Sequence, residues 1–199
     1  MIGPLLLIAY LLGSVSGSLL LGRFRGVDIR TLGSGNAGGT NALRTQGAGF
    51  ALGVVLIDIG KGVLAVALAQ YLFPGDPAVA MGAVMTAVMG HIWPVFHDFR
   101  GGKGAATLVG GLILAWPQAL LPLLAVWVLC LMCTGYVGLS TILAGWSLVF
   151  SAFWWHVAPV VWVFAVLFAV LLTYSHRANL QRLQSGTESR FEKVRIIGR

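Results

Sequence analysis

Apolar side chains fill residues 4–22, 51–73 and 78–96, then run almost unbroken from 105 to 176, with polar residues gathered in the short intervals between. Runs of this length predict membrane-spanning helices, since about 20 apolar residues cross a bilayer core. The first run has no Lys or Arg and no Ala-x-Ala cleavage site, so it is expected to be a retained span and not a signal peptide. The turn "PGDP" (74–77) parts the second run from the third. Breaks at Trp116-Pro117, Thr134-Gly135 and His156–Pro159 divide the last run. Both ends of that run meet basic residues, so an even number of spans must lie between them. Using every break gives about seven spans in all. The pieces 105–116 and 118–134 are short for a bilayer, and 105–134 stays open between one span and two. No internal repeat of the transporter kind is visible.

Composition turns this pattern into a class. Of 199 residues, 58% are hydrophobic and only 10% charged, with mean hydropathy +0.89, whereas a soluble protein has roughly a quarter charged residues. The expected fold is all-α: a polytopic integral membrane helical bundle forming a single domain over 1–199. The net charge is +7, and its placement carries more than its size. Apart from Lys61, the basic residues fall in three patches: Arg23, Arg25, Arg30 and Arg44; Arg100 and Lys103; and a tail with Arg177, Arg182, Arg190, Lys193, Arg195 and Arg199. The positive-inside rule puts these patches and the C-terminus in the cytoplasm and the N-terminus outside. The last basic residues are expected to lie on anionic lipid or to serve topology alone. Cys130 and Cys133, one turn apart in an apolar helix, read as packing and not as a redox pair.

The polar intervals carry the candidate chemistry. "GSGNAGGTN" (33–41) contains G-x-G-x-x-G, but a membrane helix and a basic linker precede it where a dinucleotide site needs a strand. "RGGKGAAT" (100–107) lacks the first glycine and the Ser or Thr of a Walker A loop. What remains is the physics those motifs share. Glycines let backbone N–H groups converge on an anion, and Ser34, Asn36, Thr40, Asn41 and Arg44 add donors. "GHIWPVFHDFRGGKG" (90–104) sets Gly101, Gly102 and Lys103 just before the next helix, whose N-terminus favours anions. "SHRANLQRLQSGTE" (175–188) adds His176, Arg177 and Asn179. Within an apolar run, "DIGKG" (58–62) puts Asp58 and Lys61 on one helix face, where they can pair. Ionisable groups there are costly and usually functional. Both a structural pair and a pair turned toward the site fit the spacing. His91 and His97 lie badly for a shared metal, so no metal is expected; His156 reads as interfacial, like Trp154 and Trp155.

These four clusters, in this order and over nearly the whole chain, resemble the bacterial acyl-phosphate-dependent glycerol-3-phosphate acyltransferases. Departures are Gly39 where the family usually has Ala, Arg100 where it commonly has Lys, and "TGYVGLST" (134–141) where members often carry a basic residue. The resemblance implies an enzyme of the bacterial inner membrane, its active site facing the cytoplasm. It would move a fatty acyl group from acyl phosphate to the 1-hydroxyl of glycerol 3-phosphate, giving lysophosphatidic acid and phosphate. On this reading Ser34, Asn36, Thr40, Arg44 and His176 are catalytic. Gly33, Gly35, Asn41, Lys61, His91, Gly101, Gly102, Lys103, Arg177 and Asn179 bind substrate. The partners are the two small substrates and membrane lipid, with no nucleic acid and no cofactor, and the protein acts as a monomer.

No histidine here has Asp five residues on, so the His-x-x-x-x-Asp base of other glycerolipid acyltransferases is absent. Direct attack without an acyl-enzyme is expected, with phosphate as leaving group and proton acceptor, or with His91 or His176 as base. An anion transporter would also use basic residues and a buried charge pair. It would need a polar path through the bilayer, and the outer breaks offer only Asp76, Gln118 and His156. A subunit that merely binds lipid heads explains the basic patches but not the glycine-rich loops.

Overall fold

The computed structural model describes residues 2–192; Lys193, Arg195 and Arg199 of the expected lipid-binding tail lie outside the described residues. Among the described residues all regular structure is helical: α1 (Ile2–Ser14), α2 (Gly17–Phe24), α3 (Gly39–Gln46), α4 (Ala48–Leu72), α5 (Pro77–Ile92), α6 (Ala105–Ala115), α7 (Leu120–Thr134), α8 (Val137–Trp154), α9 (Pro159–Ser175) and α10 (Arg177–Gln184). Single 3-10 turns lie at Ile29–Thr31, Val95–His97 and Pro117–Ala119. Ala48–Leu72, Pro77–His97, Pro117–Thr134 and Val137–Trp154 are each long and apolar enough to cross a bilayer. Two further pairs qualify only jointly: α1 with α2, bent by 45°, and α9 with α10, bent by 56°. The protein is thus a polytopic, all-helical membrane protein, and α6 is one of its shorter apolar helices. The chain forms two compact units, one ending at Trp116 and one beginning at Pro117.

Local chemistry explains the helix ends. The Asp76 carboxylate accepts from the N–H groups of Ala78 and Val79 at 2.9 and 3.1 Å, and Pro77 opens α5 where its missing N–H costs nothing. Gly135 stops α7 in the left-handed conformation, φ 77°. His156 also has positive φ and is exposed beside the exposed Trp154 and Trp155.

In the first unit α4 packs on α6 and α1 on α5, backbone against backbone. A Cβ on Gly62 would run into the Thr107 carbonyl and the Gly110–Gly111 backbone; one on Gly110 would strike the Ile59 carbonyl. On the other pair, Gly13 abuts Ala87 and Gly90 abuts Tyr10. Lipid tails are as apolar as leucine, so such helices associate through close packing, which small residues allow. Gly62→Ala is therefore expected to destabilise the protein by about 1–3 kcal/mol, read as a lower unfolding temperature in detergent. Gly60→Ala, with nothing within 4 Å of its Cβ, should leave that temperature unchanged.

The first span departs from its expected form. The run 4–22 is not one helix: it breaks at Val15-Ser16, inside "GSVSGS" (13–18), where small residues that favour turns replace leucines. Below the break, Leu19, Ile29, Ala37, Ala42, Phe50, Ala51 and Val54 form a buried cluster that includes the middle of the first polar loop. In the second unit α8 packs against both α7 and α9, and α10 touches α8 and α9.

Candidate active site

The loop "GSGNAGGTN" connects the 3-10 turn Ile29–Thr31 to α3. Gly33 and Gly35 adopt left-handed φ values of 55° and 71°, and the Gly35 N–H donates back to the Leu32 carbonyl at 3.0 Å, which closes the loop on itself. Asn41 holds that shape from below. Its Oδ1 accepts from the Ser34 N–H at 2.9 Å, and its Nδ2 donates to the carbonyls of Ile29 and Leu32 at 3.1 and 2.9 Å. A Cβ on Gly33 would strike Asn41 Oδ1. Ala37 is fully buried and plugs the loop into the apolar cluster. Ser34 and Arg44 are exposed, and Asn36 and Thr40 half-buried. Thr40 and Arg44, four apart on α3, share a face.

The second loop folds back over the end of α5. Gly102 N–H donates to the His91 carbonyl at 3.1 Å and Gly101 N–H to that of Ile92 at 3.2 Å. Asp98 and Phe99 both sit at φ 56°, an unfavourable conformation for residues with a Cβ. The half-buried Lys103 follows, and Gly104 at φ 87° opens α6. Arg30 ties the two loops together. Its Nη1 donates to the carbonyls of His97 and Arg100 at 3.1 and 3.3 Å, and its other edge grips Asp28, with Nη2–Oδ2 at 2.8 Å. The Arg30 hydrogen bonds, above all, hold the Asp28 carboxyl below the ordinary carboxylate range. A second point of contact lies at Gly102, where a Cβ would meet His91 Nε2 and the Ala37 carbonyl.

Asp58, Lys61 and His91 form one cluster beneath these loops. Lys61 Nζ lies 2.8 Å from the Val15 carbonyl, 3.1 Å from Asp58 Oδ1 and 2.7 Å from His91 Nδ1. Asp58 and Lys61 pair as their spacing predicts. The expectation that Lys61 and Asn41 touch substrate does not fit their bonding. Lys61 is 4% exposed and all three of its N–H groups are taken; Asn41 is 2% exposed and both its amide hydrogens are taken. His91, 3% exposed, is equally enclosed. A polar group this deep must be satisfied by the protein itself, and sequence spacing does not reveal depth.

The second unit carries the remaining residues. Its His176 lies at the junction of α9 and α10 with Nδ1 2.8 Å from the Leu172 carbonyl. A carbonyl only accepts, so the proton sits on Nδ1 and the lone pair on Nε2. Arg177 is exposed, its guanidinium 4.4 Å above the Tyr174 ring. Asn179 is buried and donates to Glu188 Oε1 at 2.5 Å; Arg182 Nε donates to Glu188 Oε2 at 2.6 Å. The sequence reading gave Glu188 no role, although a carboxylate closing a cationic motif was the available signal. Ser140 and Thr141 are buried and donate to the carbonyls of Tyr136 and Val137.

Fold and loops together define a class: a polytopic membrane protein whose first unit joins two glycine-rich loops that carry Ser34, Arg44 and Lys103. The family model for glycerol-3-phosphate acyltransferase matches residues 4–186, and the chain belongs to that family. The glycerol-3-phosphate acyltransferase of Bradyrhizobium diazoefficiens is 43% identical over 187 residues, covering 93% of this chain and 92% of the relative. That of Halalkalibacterium halodurans is 42% identical over 196 residues, 95% of each. The crystal structure of PlsY (YgiH), an integral membrane glycerol 3-phosphate acyltransferase, in its glycerol 3-phosphate form superposes with a TM-score of 0.90 at 35% identity, covering 96% of this chain and 95% of that one. Its lysophosphatidic acid form gives 0.88 at 34%, with the same coverage.

Proposed function

We propose that this chain, acting as one domain over 1–199, is an acyltransferase that moves a fatty acyl group from acyl phosphate to the 1-hydroxyl of glycerol 3-phosphate. The carrying observation is the junction of the two loops at Ala37–Gly102 and through Arg30, on the loops that carry the exposed Ser34 and Arg44 and the half-buried Asn36, Thr40 and Lys103 in the first unit. The related PlsY structures, in glycerol 3-phosphate and lysophosphatidic acid forms, support the choice of acceptor and product.

Ser34, Asn36 and Thr40 position the attacking hydroxyl and the acyl phosphate, and Gly33 and Gly35 shape the loop that presents them. Arg44 and Lys103 hold phosphate oxygens, and Gly101 and Gly102 let the loop before Lys103 pack closely on the end of α5. His176, Arg177 and Asn179 are the substrate residues proposed for the second unit. The glycerol oxygen attacks the acyl carbonyl carbon, the carbonyl–phosphate oxygen bond breaks, and the departing phosphate takes the hydroxyl proton. His176 Nε2 is the alternative acceptor; His91 is set aside because its Nδ1 already accepts from the Lys61 ammonium. Catalysis then rests on proximity and preorganised positive charge. The protein works as a monomer in the inner membrane with this site toward the cytoplasm.

The test is purified protein in detergent with palmitoyl phosphate and glycerol 3-phosphate. Equal amounts of phosphate and lysophosphatidic acid are expected. Folded protein that makes neither product overturns the assignment and favours anion transport.

A further inference from the structure

We propose that Asp58, Lys61 and His91 are positioning residues: the ion pair replaces the backbone hydrogen bonds lost where the first span breaks, and His91 passes that fixed point on to the loop bearing Lys103. The kinetic half of this proposal rests on the function proposed above; the folding half does not.

The polarity of the bonds carries the argument. α1 ends at Ser14 and α2 begins at Gly17, so the turn between them leaves a carbonyl and an N–H without helical partners. Within a bilayer no water satisfies them, and the protein must. The Lys61 ammonium, which can only donate, meets the Val15 carbonyl at 2.8 Å. The Asp58 carboxylate, which can only accept, takes the Gly17 N–H at 3.1 Å. Each charge also suits the helix dipole beside it, the carboxylate at the start of α2 and the ammonium just past the end of α1. The two charges are 3.1 Å apart and neutralise each other. One residue pair on α4 thus fastens both sides of the break.

His91 extends the arrangement. Its Nδ1 lies 2.7 Å from Lys61 Nζ and 3.4 Å from Asp58 Oδ1. Because the ammonium donates, Nδ1 accepts, and the neutral ring carries its proton on Nε2. That nitrogen faces Gly102, where even a methyl group would collide with it, and the His91 carbonyl accepts the Gly102 N–H. The loop before Lys103 therefore rests on a ring whose other edge is held by the pair. With every Lys61 N–H engaged, the lysine acts on substrate only through these contacts.

The experiment compares full-length Asp58→Asn, Lys61→Gln and the double variant, measuring thermal unfolding in detergent and turnover with palmitoyl phosphate over a range of glycerol 3-phosphate. Each single variant leaves one buried charge unpaired and should lower the folded-to-unfolded ratio more than about 100-fold. The double variant keeps an acceptor for Gly17 and a donor for Val15 without charge. It should regain most of the lost stability, with KM for glycerol 3-phosphate within about twofold of wild type and kcat at least about tenfold above Lys61→Gln. If the single variants aggregate, a monodisperse double variant supports the proposal equally. A double variant as unstable as the singles overturns the lock. One that is stable but has lost glycerol 3-phosphate affinity as fully as Lys61→Gln makes Lys61 a substrate ligand and overturns the positioning role. Inactive wild type with rescued stability in the double variant would strike the proposed function and leave the lock standing.

Discussion

Ser34→Ala will give a folded protein that turns over about 100- to 1000-fold more slowly, the loss seen when one preorganised donor at a reacting oxygen is removed. The structure separates the two things Ser34 does. Its backbone N–H is fixed by Asn41 Oδ1 and shapes the loop, and alanine keeps that N–H. Its side chain is exposed between the left-handed Gly33 and Gly35, where on the proposed function it meets the incoming hydroxyl or acyl phosphate. The unfolding temperature should stay at the wild-type value while kcat falls. Asn41→Ala gives the opposite balance. It deletes three hydrogen bonds beneath the loop, so stability and turnover fall together. Equal loss of stability in the two variants would mean that Ser34 is part of the scaffold and has no catalytic hydroxyl.

How much of this was legible depends on how local each cause is. The all-helical membrane fold follows from long apolar runs, and the ends of α5 and α7 from Asp76-Pro77 and Gly135. The pairing of Asp58 with Lys61 also follows, since three residues on a helix fix a common face. The break at Val15-Ser16 does not. Hydropathy averages "GSVSGS" into the leucines around it, and the groups that make the break tolerable, Asp58 and Lys61, lie far along the chain. The enclosure of Asn41 and Lys61 was not legible for a related reason. Residue type and position in a motif mark them as polar donors, but only depth decides whether the partner is substrate or backbone. Arg30 read as a topology charge because its partners, the His97 and Arg100 carbonyls, belong to a loop about 70 residues later. Glu188 was quoted with its motif yet left idle, since its hold on Asn179 and Arg182 exists only once α10 has turned.

Gly102→Ala is the second large effect expected, and it works by displacement, with no donor removed. No left-handed φ is involved at Gly102, so alanine suits the local backbone and the obstacle is wholly in the neighbours. Those neighbours cannot yield. The His91 ring is held at its far edge by Lys61, and the Ala37 carbonyl belongs to a residue with no exposed surface. The loop must therefore move as a body, carrying Lys103 and opening its seam with "GSGNAGGTN". A misplacement of about 1 Å at a reacting centre is enough to cost about 100-fold, so kcat/KM for glycerol 3-phosphate should fall by roughly that factor. Overall helix content, read by circular dichroism, should not change, because the loop lies outside the helices. Gly60→Ala, the same added methyl in open space, should behave as wild type in both measurements. Wild-type kinetics for Gly102→Ala would mean that the Ala37–Gly102 contact does not set the position of Lys103, and Arg30 would then be left as the bond that joins the two loops.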